Sequence, residues 1–385
     1  MDFQKSYLNI NKFLLSITGF WPYQAGTEKF ICRTMVLILW GGHFPSTTRR
    51  LIKFWENEDD VIEIITIYCT YLLGIIKITN SVHKNDKMKQ LLEKIDADWN
   101  IWSNKPELEI LKNFANEGRK FTLIYAIALY LSVIFYSLFT LSPQLLDIFL
   151  PIPNETRAKK YLQPEYYGPN MENYFVIIFI FAAIGILMNF TISASVDSMY
   201  VVYVQHACGI FSAIGQRLEN IKYDCKSKDN KYSQEILFCV QQHKSILKYT
   251  EDLEETYTTY FFFLIIINVM VLIVNGIQIV IKFDNFDDVF KFANYSILLV
   301  AHLFYNSIPG QKLLNYSVVV SHAAYNTCWY QATSSIKKSV LIMIMRSSKP
   351  CKMSGGKYFI LSLENFSVVM KTTLSYFTVL LSMRQ

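Results

Sequence analysis

The sequence contains few charged residues. Asp, Glu, Lys and Arg make up 18% of its 385 residues, whereas an average soluble domain has about 25%. Apolar residues, counted with the aromatics and cysteine, make up 52%. A soluble chain of this length is expected to form two or three domains, and this composition argues against such a chain.

Sequence motifs of enzymes and metal sites are also missing. The sequence has no Gly-rich phosphate loop, no nucleophile elbow and no carboxylates paired in a plausible cleft. It has no Cys-x-x-Cys motif and no Cys/His cluster with the spacing of a zinc site. We therefore predict no enzyme activity, no cofactor and no metal site.

The seven cysteines do not suggest a disulfide framework, because none falls in a loop that we predict to lie outside the cell. The N-terminal segment has only a short apolar stretch, and no small-residue cleavage site follows it. We expect no cleaved signal peptide, so the first apolar span would act as the membrane anchor.

Long apolar runs are abundant. Stretches of 22, 23 and 25 residues carry no charge at all, and a bilayer-spanning helix needs about 20 such residues. Four weaker runs contain isolated charges or a histidine. The predicted fold class is a single-domain, all-α integral membrane protein with seven transmembrane helices. These spans are expected at about 30–48, 61–82, 121–142, 174–196, 257–281, 292–310 and 358–383.

Lys and Arg are distributed unequally between the two sides of these spans. With a cytoplasmic N-terminus, the inner segments hold 25 of them and the outer segments nine. Cytoplasmic loops carry the excess of positive charge, so we predict an inside N-terminus, an outside C-terminus and no nucleic-acid partner. G-protein-coupled receptors run the other way, and their Asp-Arg-Tyr and Asn-Pro-x-x-Tyr motifs are absent. Among five sequons, Asn154 alone lies well inside an outer loop and is the predicted glycosylation site.

The predicted inner segments carry amphipathic helix patterns. In 88–102, apolar side chains recur on one helix face at Leu91, Leu92, Ile95, Trp99 and Trp102. Similar stripes occur at 210–221, 234–253 and 318–345, and we expect spans four, five and six to continue inward as helices. Either these stripes pack on one another or they form a cytoplasmic assembly domain. We favour an anchor built from 83–120, 203–256 and 311–357.

The last span carries one polar stripe. Its members recur every three or four residues at Glu364, Ser367, Lys371, Ser375, Thr378 and Ser382. Ionisable groups at membrane depth are costly unless they face protein or water. Small polar residues also serve helix–helix packing, but Glu364 and Lys371 favour a position facing a water-filled pore.

Three segments resemble the insect odorant receptor family, in particular the large receptor sets of ants, bees and wasps. They are 145–169 (LLDIFLPIPNETRAKKYLQPEYYGP), 206–221 (HACGIFSAIGQRLENI) and 326–382, which begins NTCWYQATSSIKKSV. The resemblance covers nearly the whole chain, and the C-terminal block is its most specific part. Seven spans with an inside N-terminus agree with that family.

The resemblance implies an odorant-gated, non-selective cation channel that needs no G protein. Such a receptor forms a heterotetramer with a shared co-receptor in the plasma membrane of olfactory sensory neuron dendrites, surrounded by membrane lipid. This chain looks like a ligand-tuning subunit, because it lacks the co-receptor's long insertion between spans four and five. The family's pore helix would be span seven, with Val379 and Met383 at the constriction and Ser382 where the co-receptor has Gln.

The resemblance also implies a pocket for small, volatile, mostly apolar molecules in the outer half of spans two to six. Such a pocket needs aromatic and aliphatic walls with few polar groups. The candidate ligand contacts are Tyr68, Ser132, Phe135, Tyr136, Phe139, Ile177, Phe181, Tyr295, Leu299 and His302. Aromatic residues of a membrane bundle also serve packing and interface anchoring, and His302 is equally compatible with a hydrogen-bonded bundle histidine.

Two other functions remain open from the sequence. A gustatory-type receptor channel belongs to the same superfamily, but its Thr-Tyr-x-x-x-x-Gln-Phe ending is absent. A secondary transporter is expected to show internal repeats and broken helices. No repeat is visible, and the polar stripe is confined to one helix.

Overall fold

The computed structural model describes residues 3–152, 156–221 and 230–384. These residues form twelve α-helices and one short antiparallel hairpin. The helices are α1 (Phe3–Tyr7), α2 (Asn9–Thr18), α3 (Gly26–Lys53), α4 (Glu58–His83), α5 (Asn85–Trp102), α6 (Leu108–Phe149), α7 (Phe175–Asn220), α8 (Asn230–Ile281), α9 (Phe286–Ser317), α10 (Val319–Asn326), α11 (Ser334–Ser347) and α12 (Leu363–Arg384). Single 3₁₀ turns occupy Met171–Tyr174 and Trp329–Gln331.

Each predicted span lies largely within one long helix. Within the described part of the chain, four stretches are long and apolar enough to cross a membrane, namely Asp60–His83, Leu108–Phe149, Met171–Asn220 and Tyr232–Ile281. The spans expected in α3, α9 and α12 fall outside this group, because polar side chains interrupt their apolar runs, and they stay predictions. α7, α8 and α9 extend well beyond the predicted spans, as expected. We call the bundle end that carries residues 54–57 and 156–170 the loop end, and the opposite end the base.

The last predicted span begins later than expected. Residues Ser354–Gly355 pair with Phe359–Ile360 as two antiparallel strands, β1 and β2, so the helix begins only at Leu363. Gly356 and Lys357 close the hairpin with φ values of 61° and 66°, a conformation that no α-helix accommodates. The Ser362 hydroxyl then accepts a hydrogen bond from the Asn365 N–H at 3.1 Å and caps α12.

The predicted helix 318–345 is also interrupted. α10 ends at Asn326, and α11 begins only at Ser334. Thr327 and Thr333 have extended backbone on either side of the 3₁₀ turn. The Thr327 hydroxyl donates to the Ala324 carbonyl at 2.8 Å. Hydroxyl side chains that bond to nearby backbone favour helix ends over helix interiors.

The largest apolar core lies in the base. Tyr200, Tyr257 and Phe261 pack together between α7 and α8, with the rings of Tyr200 and Phe261 4.7 Å apart. The predicted apolar face of α5 is confirmed, because all five of its residues are buried there. All three segments of the predicted anchor contribute side chains to this core. Their role in assembly stays a prediction.

Candidate functional site

A cavity of about 150 Å³ lies near the loop end, between α4, α6, α7 and α9. Most of its wall is apolar. The apolar wall is formed by Ile67, Val133, Ile186, Phe190, Phe292 and Leu298. A cavity of this size with apolar walls holds one small aromatic molecule in other proteins. The arrangement therefore suits a compact, largely apolar ligand.

Several polar groups of the cavity are already bonded to one another. Tyr295 and Thr70 share a hydroxyl–hydroxyl hydrogen bond between α9 and α4. The Ser132 hydroxyl donates to the Leu129 carbonyl of its own helix at 2.7 Å. These bonds fix the orientation of the polar groups and leave the wall largely apolar towards a bound molecule.

The loop before α7 forms part of the cavity wall. Leu162, Gln163 and Pro164 line it directly. Gln163 accepts a hydrogen bond from Tyr71 at 2.9 Å, and the Leu162 carbonyl accepts one from Tyr136 at 3.1 Å. The loop is therefore held by hydrogen bonds to α4 and α6, which form two sides of the cavity.

A buried contact with α3 holds the next part of this loop. His43 donates from Nδ1 to Glu165 at 2.6 Å, and both side chains are buried. Tyr167 donates to the other oxygen of Glu165 at 3.1 Å. Burial and then the adjacent carboxylate raise the pKa of Tyr167, so its hydroxyl stays a donor at neutral pH. Gly185 of α7 is required here, because a Cβ would lie 2.2 Å from Nε2 of His43.

A pair of opposite charges lies at the cavity wall. Lys291 of α9 forms an ion pair and a hydrogen bond with Glu63 of α4. Their side chains are only 27% and 13% exposed, and both residues line the cavity. Sequence patterns alone mark Glu63 only as one of the isolated charges in the weaker apolar runs. The pair could have been found from one acidic residue at the outer end of span two and one basic residue at the outer end of span six.

Three of the ten predicted ligand contacts line the cavity, namely Ser132, Tyr136 and Tyr295. The structure places the other seven outside the lining. Phe135 and Ile177 are exposed on the outside of the bundle. Phe139 packs against Phe290 with ring centroids 3.9 Å apart. On α6 the cavity therefore meets the face of Ser132 and Tyr136, not that of the two phenylalanines.

The remaining four predicted contacts have other partners. The Tyr68 hydroxyl lies 2.7 Å from that of Thr48. Phe181 stacks on His43 with ring centroids 4.2 Å apart. Leu299 is buried in the main core, and His302 belongs to a polar cluster below the cavity. A direct role of these residues in ligand contact stays a prediction.

That polar cluster is centred on Asp197 of α7, which is fully buried. Its carboxylate accepts hydrogen bonds from Lys77 at 2.8 Å, from His302 at 2.8 Å and from Tyr125 at 3.1 Å. Tyr260 donates to the other carboxylate oxygen. Because these donors lie on α4, α9, α6 and α8, one side chain joins five helices. Sequence patterns alone did not mark Asp197 as a site residue, because it stands at the start of the predicted inner segment that follows span four.

α12 uses only one of its faces against the rest of the chain. Phe366 packs edge-to-face against Phe304 of α9 with ring centroids 5.4 Å apart. Phe377 lies against Gly276 of α8, where a Cβ would lie 2.9 Å from the ring. The opposite face carries the predicted polar stripe. All of its members are exposed in the single chain, namely Glu364, Ser367, Lys371, Ser375, Thr378 and Ser382. The stripe therefore does not pack against this chain's own helices.

The remaining predicted positions are the two constriction residues of the pore and the glycosylation site. Val379 is half exposed beside the polar stripe. Met383 belongs to the last turn of α12, and its side chain lies outside the described residues. Asn154, the predicted glycosylation site, also lies outside the described residues.

The long apolar helices and the apolar cavity between them are features of a helical membrane protein. A family model described as "7tm Odorant receptor" matches residues 58–374. Odorant receptors 13a and 47a of Drosophila melanogaster are 20% and 21% identical to the chain. Those alignments cover 96% and 98% of it, and 93% and 99% of the relatives. The chain belongs to the 7tm odorant receptor family.

Two further comparisons bear on fold and assembly. The structure of the insect olfactory receptor OR5 from Machilis hrabei in complex with eugenol matches with a TM-score of 0.75 at 17% identity. The match covers 99% of this chain and 98% of that one. The odorant receptor coreceptor of Aedes aegypti is 27% identical over 39% of this chain and 31% of its own length. The predicted family and the predicted all-helical fold are confirmed.

Proposed function

We propose that the chain is a subunit of an odorant-gated, non-selective cation channel. It binds a small, volatile, hydrophobic molecule in the cavity and works with a shared co-receptor in the plasma membrane of olfactory sensory neurons. The cavity between four helices, with its largely apolar wall, is the observation that carries this proposal. The related fold of OR5 from Machilis hrabei, solved in complex with eugenol, supports it.

The contacts of α9 suggest how ligand binding reaches the pore. Tyr295 lines the cavity, and Phe304, further along the same helix, packs on Phe366 of α12. A ligand that binds one position of α9 better than another shifts the equilibrium towards that position. The movement is passed to α12 through this aromatic contact.

Exposed apolar side chains of the base support assembly with other subunits. They lie on α10, α11 and the turn between them, at Tyr325, Tyr330, Ile342 and Met345. Exposed large apolar side chains in one region of the chain are candidates for protein–protein contacts. Similarity to the coreceptor of Aedes aegypti favours a related subunit as the partner in a heterotetramer.

Co-expression of the chain with an insect co-receptor in oocytes tests the proposal. We expect inward cation currents on application of an odorant panel, and a response profile that the co-receptor alone does not give. Cells that express the co-receptor only and cells that express the chain only are the controls. A normally trafficked chain that adds no ligand response to the co-receptor would contradict the proposed function.

Tyr136→Ala is expected to raise the half-maximal concentration of an active odorant by roughly 10–100-fold. The change removes an aromatic wall of the cavity, and burying one such side chain contributes about 1.5–3 kcal/mol. Dose–response currents measure the effect. Phe135→Ala on the same helix is the matched control, because that side chain lies outside the cavity. Equal shifts for both variants would contradict the assignment of the cavity.

Val379→Ala, alone or with Met383→Ala, is expected to increase current in the absence of odorant several-fold. An apolar ring in a narrow pore excludes water and ions, and smaller side chains weaken that barrier. Basal current and reversal potentials of the co-expressed channel measure the effect. Unchanged gating, basal current and ion selectivity in both variants would remove these two residues from the gate.

A further inference from the structure

We propose that Lys291 and Glu63 set the chemical class of the ligand. Lys291 donates a hydrogen bond to one neutral oxygen acceptor, so the site takes compact apolar molecules that carry a ketone, aldehyde or ester oxygen. This inference rests on the proposed function, because it assumes that the cavity is the odorant site. It assigns selectivity to two residues that the aromatic pattern of the sequence does not point to.

The hydrogen-bonding capacity of Lys291 is the first argument. An ammonium group carries three N–H donors. Among the described residues, Glu63 is the hydrogen-bond partner of Nζ, and the centroid of the Phe292 ring lies 5.7 Å from Nζ. Donors therefore remain for a molecule in the cavity that both residues line.

The other polar groups of the cavity are weaker candidates. Tyr71 and Tyr136 already donate to the loop, and the Thr70–Tyr295 bond uses one of its two hydroxyl hydrogens. Asn189 and Asn294 offer neutral amides at the wall. Hydrogen bonds from a charged donor are about twice as strong as those from a neutral one. The ammonium is therefore the strongest donor available to a ligand.

The carboxylate of Glu63 decides which acceptors fit. It neutralises Lys291, so the pair brings no net charge into the cavity. A ligand carboxylate would approach Glu63 as well as Lys291, and like charges at close range in a poorly solvated site repel each other. A neutral carbonyl oxygen accepts from Lys291 without that repulsion, whereas a plain hydrocarbon leaves the remaining donors without an acceptor.

Matched ligands of one carbon skeleton test the inference. The probes are the methyl ketones and n-alkanes of five to nine carbons, with heptanoate as the anion. They are applied to the chain co-expressed with a co-receptor. For the wild-type receptor we expect at least a tenfold lower half-maximal concentration for the best ketone than for its alkane, a difference of about 1.4 kcal/mol. Heptanoate is expected to be inactive.

The main variant replaces both charges, as Glu63→Leu with Lys291→Met, because removing one charge leaves the other buried and unpaired. We expect the half-maximal concentrations of the ketone and its alkane to differ by less than about threefold in this variant. The ketone should lose potency, whereas the potency of the alkane should stay the same. Asn294→Leu is the matched control at the same wall and should keep most of the ketone preference. Glu63→Gln removes the negative charge but keeps an amide oxygen that accepts a hydrogen bond from Lys291, so it should keep the ketone response and make heptanoate active.

Three results would overturn the inference. One is a wild-type receptor that answers panel odorants but no methyl ketone, or that prefers the alkane. Another is a double variant in which the half-maximal concentrations of the ketone and the alkane rise by the same factor, which is the result expected if the ion pair has only a structural role. The third is a ketone preference lost equally in Asn294→Leu. A wild-type chain that adds no odorant response to the co-receptor would contradict the proposed function itself.

Discussion

Asp197→Ala is expected to abolish folded receptor in the membrane. The carboxylate is fully buried and accepts hydrogen bonds from four other helices. Its removal leaves the Lys77 ammonium buried without a counter-charge, and breaking a buried ion pair costs about 3–5 kcal/mol. Most proteins are stable by only about 5–15 kcal/mol. Surface labelling and the melting temperature of the detergent-solubilised protein measure the loss.

A matched ion pair at the loop end provides the control. Asp287 pairs with Lys160, and their side chains are 46% and 35% exposed, so the pair contributes about 0–1 kcal/mol. Asp287→Ala should therefore reach the surface in near-normal amounts. A double variant, Asp197→Asn with Lys77→Met, should recover part of the lost protein, because it removes both charges together. Normal surface levels and melting of Asp197→Ala would show that the cluster does not hold the five helices together.

The helices could be predicted because their signals are local. A run of uncharged residues gives the length of a membrane helix directly, and the apolar face of α5 follows from the 3.6-residue period. Boundaries failed where single backbone positions decide them. Lys357 has a positive φ, so α12 begins only at Leu363. The neighbouring sequence does not show that a non-glycine residue adopts this conformation.

The cavity could be predicted only in part, because its lining depends on which face each helix turns towards its neighbours. Phe135 and Phe139 share a helix face with each other, but the cavity lies on the face of Ser132 and Tyr136. A hydrophobic membrane helix is apolar on all sides, so its composition does not mark the inner face.

The polar contacts are invisible to sequence reasoning for a related reason. Asp197 and Lys77 are 120 positions apart, and Glu63 and Lys291 are 228 apart. Each charge alone looked like an ordinary residue near a span end. Their pairing depends on how the helices pack in three dimensions, and a single sequence does not contain that information.

Ser375→Cys is expected to make the channel sensitive to a charged, water-soluble methanethiosulfonate reagent, with loss of most of the odorant-evoked current. Ser375 lies at the centre of the polar stripe of α12 and is exposed in the single chain. If the stripe faces the pore, the thiol is wet and its modification places a bulky positive charge in the path of cations. Current before and after the reagent, in the presence of co-receptor and odorant, measures the effect.

Neighbouring positions on α12 decide which face lines the pore. Tyr376 is also exposed in the single chain, but successive helix residues are rotated by about 100°, so Tyr376→Cys should resist the reagent. Val379→Cys, which lies beside the stripe, separates the two possible pore faces. If the reagent blocks Ser375→Cys but not Val379→Cys, the polar stripe lines the conducting path, because its hydroxyl groups hydrogen-bond to pore water. Block at Val379 and Tyr376 with an inert Ser375 would place the stripe against lipid or another subunit and contradict the pore assignment.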